Sequence, residues 1–140
     1  MENIEIIFKD IYASDIKKIF KWFLFKEENI KSSHFFEDGK DITYQELSNI
    51  EAYFNKVNTG QILIENIDIG TKIDEGIIII SFDNNKGDLT INFEETENFV
   101  NDFSEDILLK INEIKFIIHY SNIIFGYEPS EDEDMLVFKI

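Results

Sequence analysis

The chain has no cysteine and no arginine, and only one proline and six glycines among its 140 residues. Without cysteine there is no disulfide scaffold, no thiol nucleophile and no cysteine zinc site, which fits a reducing compartment. Without arginine there is no guanidinium fork to grip a carboxylate or phosphate, and all 13 basic side chains are lysine. Pro129 and the scattered glycines leave no linker rich in Pro, Gly or Ser, and no internal repeat is present. Apolar runs stop at four residues, as at Ile77, Ile78, Ile79 and Ile80, far short of the ~18 that a membrane span needs. The opening MENIE carries acids where a secretory signal carries lysines. These absences predict one domain over residues 1–140, retained in the cytoplasm and without a membrane partner.

Core material is plentiful. Apolar residues make up 44% of the chain, led by isoleucine and by 14 phenylalanines, so disorder is excluded despite the charge. Charge is the other abundant feature, with 29 acids against 13 lysines and a formal net of −16. That balance repels nucleic acid and anionic lipid and favours a basic protein surface as partner.

The hydrophobic pattern changes period along the chain. Residues 4–8 read as a strand. Ser14 is placed to cap a helix that carries Ile16, Ile19, Phe20, Phe23 and Leu24 on one face, with Trp22 and Phe25 on the other. Such a helix is either covered on both sides or offers its second face, Trp22 included, to a partner. Thr43 and Glu46 have capping-box spacing ahead of Leu47, Ile50, Phe54 and Val57, which predicts a helix that stops at Asn58-Thr59-Gly60. From Gly60 the pattern becomes extended through Ile62, Ile64 and residues 76–83, and residues 88–94 alternate cleanly. Asn84, Asn85, Lys86 and Gly87 read as a four-residue hairpin loop with glycine supplying the positive φ. Thr96 begins a third helical pattern through Val100, Phe103, Ile107, Ile111 and Ile114. Residues 116–120, 123–127 and 135–140 have β-like composition. The sum is an α+β domain: an antiparallel meander with helices packed on one face.

No catalytic constellation emerges, and no enzyme is predicted. There is no G-x-S-x-G elbow, and His34 and His119, the two histidines, lack partners at any motif spacing; His34 reads as a loop residue. No zincin pair exists, and Asp83, Asn85, Gly87 and Asp88 do not meet the spacing of a calcium loop. Phosphate-binding glycine motifs are absent as well. Neither a metal nor a cofactor is expected.

The distribution of charge is more informative. Residues 1–70 hold 13 acids and 8 lysines, a net of −5, whereas residues 71–140 hold 16 acids and 5 lysines, a net of −11. Two lysine-free stretches carry the excess. One holds Glu94, Glu95, Glu97, Asp102, Glu105 and Asp106; the other holds Glu128, Glu131, Asp132, Glu133 and Asp134. These eleven carboxylates are the candidate partner-binding residues. Solubility alone would account for them, set against the self-repulsion that so large a net charge brings.

Four stretches also carry a family likeness: GQILI at 60–64, GIIIISFD at 76–83, GDLTINFEE at 87–95 and FGYEPSEDED at 125–134. Over about half the chain the sequence resembles small immunity proteins of bacterial polymorphic toxin systems, those of contact-dependent growth inhibition in particular. The resemblance implies a cytoplasmic inhibitor that binds a cognate toxin domain, in many cases a basic nuclease, and occludes its surface without chemistry of its own. It transfers no site residue, because contact residues in such proteins differ from toxin to toxin. Two other readings stand beside it: an acidic mimic of nucleic acid that blocks a DNA-binding enzyme, and an acidic interaction domain of another role.

Overall fold

Ile4, Ile6 and Phe8 alternate with Glu5 and Ile7 along β1 (Asn3–Tyr12), the strand around which the fold is organised in a computed structural model that describes residues 2–95 and 103–140. Seven more strands join it: β2 (Ile30–Glu37), β3 (Lys40–Ile42), β4 (Asn58–Asp68), β5 (Lys72–Asp83), β6 (Lys86–Glu94), β7 (Asn122–Tyr127) and β8 (Leu136–Lys139). They form one sheet in the order β3-β2-β4-β5-β6-β1-β7-β8, with every neighbouring pair antiparallel. The architecture is α+β and mostly sheet. The predicted meander is its centre, β4-β5-β6, and β1 is inserted between that meander and the β7-β8 hairpin.

Register then assigns the two faces. One cross-strand row runs Ile62, Ile78, Ile91, Ile6, Phe125 and Phe138. The first five are buried, and the row forms the centre of the core. Each such side chain contributes roughly 1.5–3 kcal/mol of burial. The adjacent row, one residue along each strand, is His34, Gln61, Ile79, Thr90, Ile7, Ile124 and Lys139. The period of two places it on the opposite, outer face.

Helices cover the core face. In α1 (Ile16–Trp22) the residues Ile16, Ile19, Phe20 and Trp22 are all buried, so the helix is covered on both sides. Trp22 meets Phe8 edge-on at 5.6 Å and donates its indole N–H to the Lys110 carbonyl at 2.7 Å. It therefore joins α1 to α3 (Phe103–Asn112) instead of waiting for a partner. Ile107, Ile111 and Ile114 are buried as the spacing predicts, and Ser104, Glu105 and Asp106 lie within the helix. Thr96 and Val100 lie outside the described residues. Leu24, predicted to be inside, is 54% exposed at φ +63, where the chain leaves the helix. No side chain caps α1: Asp15, not Ser14, takes the N-cap position, and its buried carboxylate turns back to accept the Tyr12 N–H at 2.9 Å, closing a 3-10 turn at Ala13–Asp15.

The other departures have local causes. Glu46 does reach back to Thr43, accepting its N–H at 2.9 Å and its hydroxyl at 3.0 Å, but it closes only a 3-10 turn at Tyr44–Glu46. Leu47 is extended, and Asn49 caps a separate short helix, α2 (Ile50–Tyr53), by accepting the Ala52 N–H. Val57 is consequently exposed, and Asn58 to Gly60 open β4 where a helix stop was predicted. The β5-β6 connection is a two-residue turn, with Asn84 at φ 52 and Asn85 at φ 73, the signature of a type I′ hairpin. Gly87 lies within β6, where a Cβ would come within 2.3 Å of the Ser81 carbonyl oxygen, so close approach requires the glycine and not a positive φ. His34, predicted in a loop, lies on β2. Residues 116–120 form no strand: Ile118 is buried, whereas Phe116 is 87% exposed.

The Glu46 geometry makes a testable point. Two donors on its carboxylate, the Thr43 N–H first and the hydroxyl second, hold its pKa below the usual glutamate value. A depressed carboxyl stabilises the fold above its unfolded pKa and loses that contribution as pH falls through the folded value. A carboxyl-detected NMR titration is expected to place the Glu46 midpoint below the usual glutamate value. Thr43→Val should move it part of the way back, because the backbone donor remains.

Candidate partner-binding surface

The predicted acidic residues are distributed over three places. At one end of the sheet, Glu94 pairs with Asn3, the Glu95 N–H donates to the Glu2 carbonyl, and the Glu128 N–H donates to the Asn3 carbonyl. Glu94, Glu95 and Glu128, remote in sequence, thus share a corner. The Tyr127 hydroxyl lies 3.4 Å from Glu95 there; partial burial first, and that carboxylate second, raise the tyrosine pKa.

From this corner residues 128–134 return across the outer face. Asn92 donates to Glu128 at 2.8 Å, the Ser130 N–H and hydroxyl both donate to the Glu5 carboxylate at 2.8 Å, and Lys9 pairs with Glu131 at 3.4 Å. Glu5 and Ser130 are buried by this contact, as are Ile7 and Ile124 beside it. Glu128 and Glu131 therefore help to hold the segment down. Asp132, Glu133 and Asp134 are exposed, and among the described residues no side-chain hydrogen bond or ion pair reaches their carboxylates.

The third place is separate. Glu105 and Asp106 occupy the first turn of α3 on the helical side of the sheet, where acids suit the positive end of a helix. Glu97 and Asp102 lie outside the described residues. The nine described candidates thus do not share one face, and their division gives no support to rows of phosphate-like charge.

The histidines are separate too. His34 meets Asp41 at 3.0 Å on the outer face, and both are exposed. His119 lies 3.3 Å from Asp15, whose buried carboxylate also accepts the His119 N–H at 3.2 Å and pairs with Lys18 at 3.6 Å. Asp15 is a junction between β1, α1 and the 113–121 turns. Among the described residues, no group of three or more His, Cys, Asp or Glu is placed to hold a metal ion. No helix among them is long and apolar enough to cross a membrane.

A feature not predicted from sequence is the half of the outer face that residues 128–134 do not cover. Phe36, 62% exposed, and Ile79, 45% exposed, stand over β2 and β5. Between them lies a groove of about 460 Å³ lined by His34, Asp41, Thr59 and Gln61 as well. Its signal in the sequence was the pair Phe35-Phe36, which puts one ring on each face of a strand. The run Ile77 to Ile80 similarly supplies both faces of β5.

Comparison with known proteins gives one family and one fold. A family model described as PABL017 Cdi1I immunity protein matches residues 2–140. A solved structure described as the 1.75 Angstrom crystal structure of the toxic C-terminal tip of CdiA from Pseudomonas aeruginosa in complex with immune protein contains a similar chain. The two share 19% identity at a TM-score of 0.75, over 99% of this chain and 94% of that one, which is a likeness of fold. No curated protein matches the sequence.

Proposed function

The chain belongs to the PABL017 Cdi1I immunity protein family, and on that premise we propose that it binds a cognate bacterial toxin domain and neutralises it by occluding its surface. The match over residues 2–140 carries this reading. The neighbouring fold, solved as a toxic CdiA tip in complex with immune protein, supports it. The chain acts as an inhibitor and performs no reaction, in the cytoplasm of the cell that produces the toxin. The toxin is basic, as a nuclease would be, which suits a partner of net charge −16.

Charge then acts mainly on the rate of encounter. Asp132, Glu133 and Asp134 are exposed and have no side-chain partner among the described residues, which suits them to steering a basic domain. Replacing all three by Asn or Gln is expected to slow association by about three- to tenfold at low ionic strength and to flatten its salt dependence. Folding stability should barely change. Stopped-flow association at two salt concentrations checks this, and an unaltered on-rate at low salt would sink the steering role.

The reading itself is tested by co-expression with the C-terminal domain encoded by the reading frame that adjoins this gene. A stable complex recovered from viable cells is the expected result. Failure to form any complex with that domain overturns it.

A further inference from the structure

We infer that the uncovered half of the outer face is where the chain takes its partner, and that the Phe36–Asp41 end of the groove receives a lysine or arginine side chain of that partner. The inference rests on the immunity reading above and names its surface.

The outer face is divided by the chain itself. On one half, Ile7 and Ile124 are only 6% and 5% exposed beside the segment that Glu5, Lys9 and Asn92 hold down. On the other half, equivalent positions of the same cross-strand row are left bare, with Ile79 at 45% and the neighbouring Phe36 at 62% exposed. A face that the fold can roof, yet roofs on one half only, leaves apolar area in water at the other.

The bare half also has built-in order. Phe36 and Asp41 are direct cross-strand partners on β2 and β3, so ring and carboxylate project side by side on one face. The Phe36 N–H donates to the Tyr53 hydroxyl at 2.8 Å, and that hydroxyl donates to the Thr59 carbonyl at 2.8 Å. This clamp fixes β2 against β4 under the exposed ring, which lowers the ordering cost of using it as an anchor. His34 holds Asp41 from the other side at 3.0 Å.

The chemistry of this end selects a cation. An aromatic ring beside a carboxylate offers a basic side chain both a π face and a charge-assisted hydrogen bond. Gln61 and Thr59 line the groove with further polar groups, and Ile79 supplies the apolar contact for the side-chain stem. The chain has no arginine and carries 16 more acids than lysines, so the complementary group comes from a basic partner. Exposed aromatics set in a groove are the usual anchors of protein interfaces.

Affinity measurements between the full chain and the C-terminal domain encoded by the adjoining reading frame test the surface. Phe36→Ser is expected to weaken binding by about 30-fold or more, and Asp41→Asn by about tenfold with a shallower salt dependence. Phe116→Ser, which alters an 87% exposed ring on the helical side, should stay within about twofold. Should Phe36→Ser fail to fold, Asp41→Asn and Ile79→Asn decide the matter, together with amide shifts of His34, Gln61 and Ile79 on complex formation. A wild-type chain that binds the domain while the Phe36, Asp41 and Ile79 variants bind equally well overturns the inference and leaves the immunity reading standing. Loss of binding in Phe116→Ser alone moves the interface to the helices and overturns it too. A wild-type chain that binds nothing fells the reading beneath both.

Discussion

Trp22→Ala is expected to cost about 4 kcal/mol of folding stability, the largest effect of any single substitution considered, because it removes a buried indole that joins two helices over the sheet. The ring is 8% exposed, packs edge-on against Phe8 at 5.6 Å and bonds the Lys110 carbonyl at 2.7 Å. Deleting it opens a cavity between α1, α3 and β1 that nearby isoleucines fill only in part. Trp22→Phe should cost less, about 1–2 kcal/mol, since it keeps most of the apolar area and loses one hydrogen bond to a Lys110 carbonyl that still accepts the Glu113 N–H. Urea unfolding of the three proteins measures both values. Trp22 is also the sole tryptophan. The native chain is therefore expected to emit at short wavelength and to shift to the red on unfolding. A loss below about 1 kcal/mol for the alanine variant would mean that the ring does not bridge the helices.

Asp15→Ala is expected to cost about 3 kcal/mol, through a different mechanism. The carboxylate is fully buried and accepts two main-chain N–H groups, those of Tyr12 and His119, that are remote in sequence. Each buried donor left without an acceptor costs roughly 1–3 kcal/mol. Lys18 and the His119 ring lose their partner as well, but both are more than two-fifths exposed and add little. Asp15→Asn keeps one acceptor oxygen and should cost about 1 kcal/mol. Denaturant unfolding gives the totals. Hydrogen exchange at the His119 amide is the specific readout, and it should accelerate in the alanine variant more than amides of the β4-β5-β6 centre.

The parts of the fold that were legible in sequence are those in which one strand shows its own pattern. Leu89, Ile91 and Phe93 alternate with polar residues and are buried as the period of two requires. Ile107, Ile111 and Ile114 keep helical spacing and line the core. The capping-box helix failed for a local reason. Asn49, a second cap three residues after Glu46, captured the Ala52 N–H and restarted the chain, so the spacing of Leu47, Ile50, Phe54 and Val57 never became one helix. β2 escaped notice because its register shifts between Ile30 and Ser32, which spoils the alternation.

The candidate surface was less legible, since charge clustering in sequence does not report pairing in space. Glu128 and Glu131 belong to the densest acidic run, yet they are held by Asn92 and Lys9, residues more than thirty-five positions away. Asp132, Glu133 and Asp134 in the same run have no side-chain partner among the described residues. Glu94 and Glu95 meet Glu128 only because β1 enters between β6 and β7. The bare half of the outer face likewise depends on which strands segment 128–134 covers, a fact of topology that no local window contains.

Protection in living cells tests the central claim most directly. Bacteria induced for the C-terminal domain encoded by the adjoining reading frame are grown with the wild-type chain, with Phe36→Ser/Asp41→Asn, or with neither. The account predicts normal growth with the wild type, and loss of most protection with the double variant at equal protein level. Growth arrest despite abundant folded wild-type chain would contradict it.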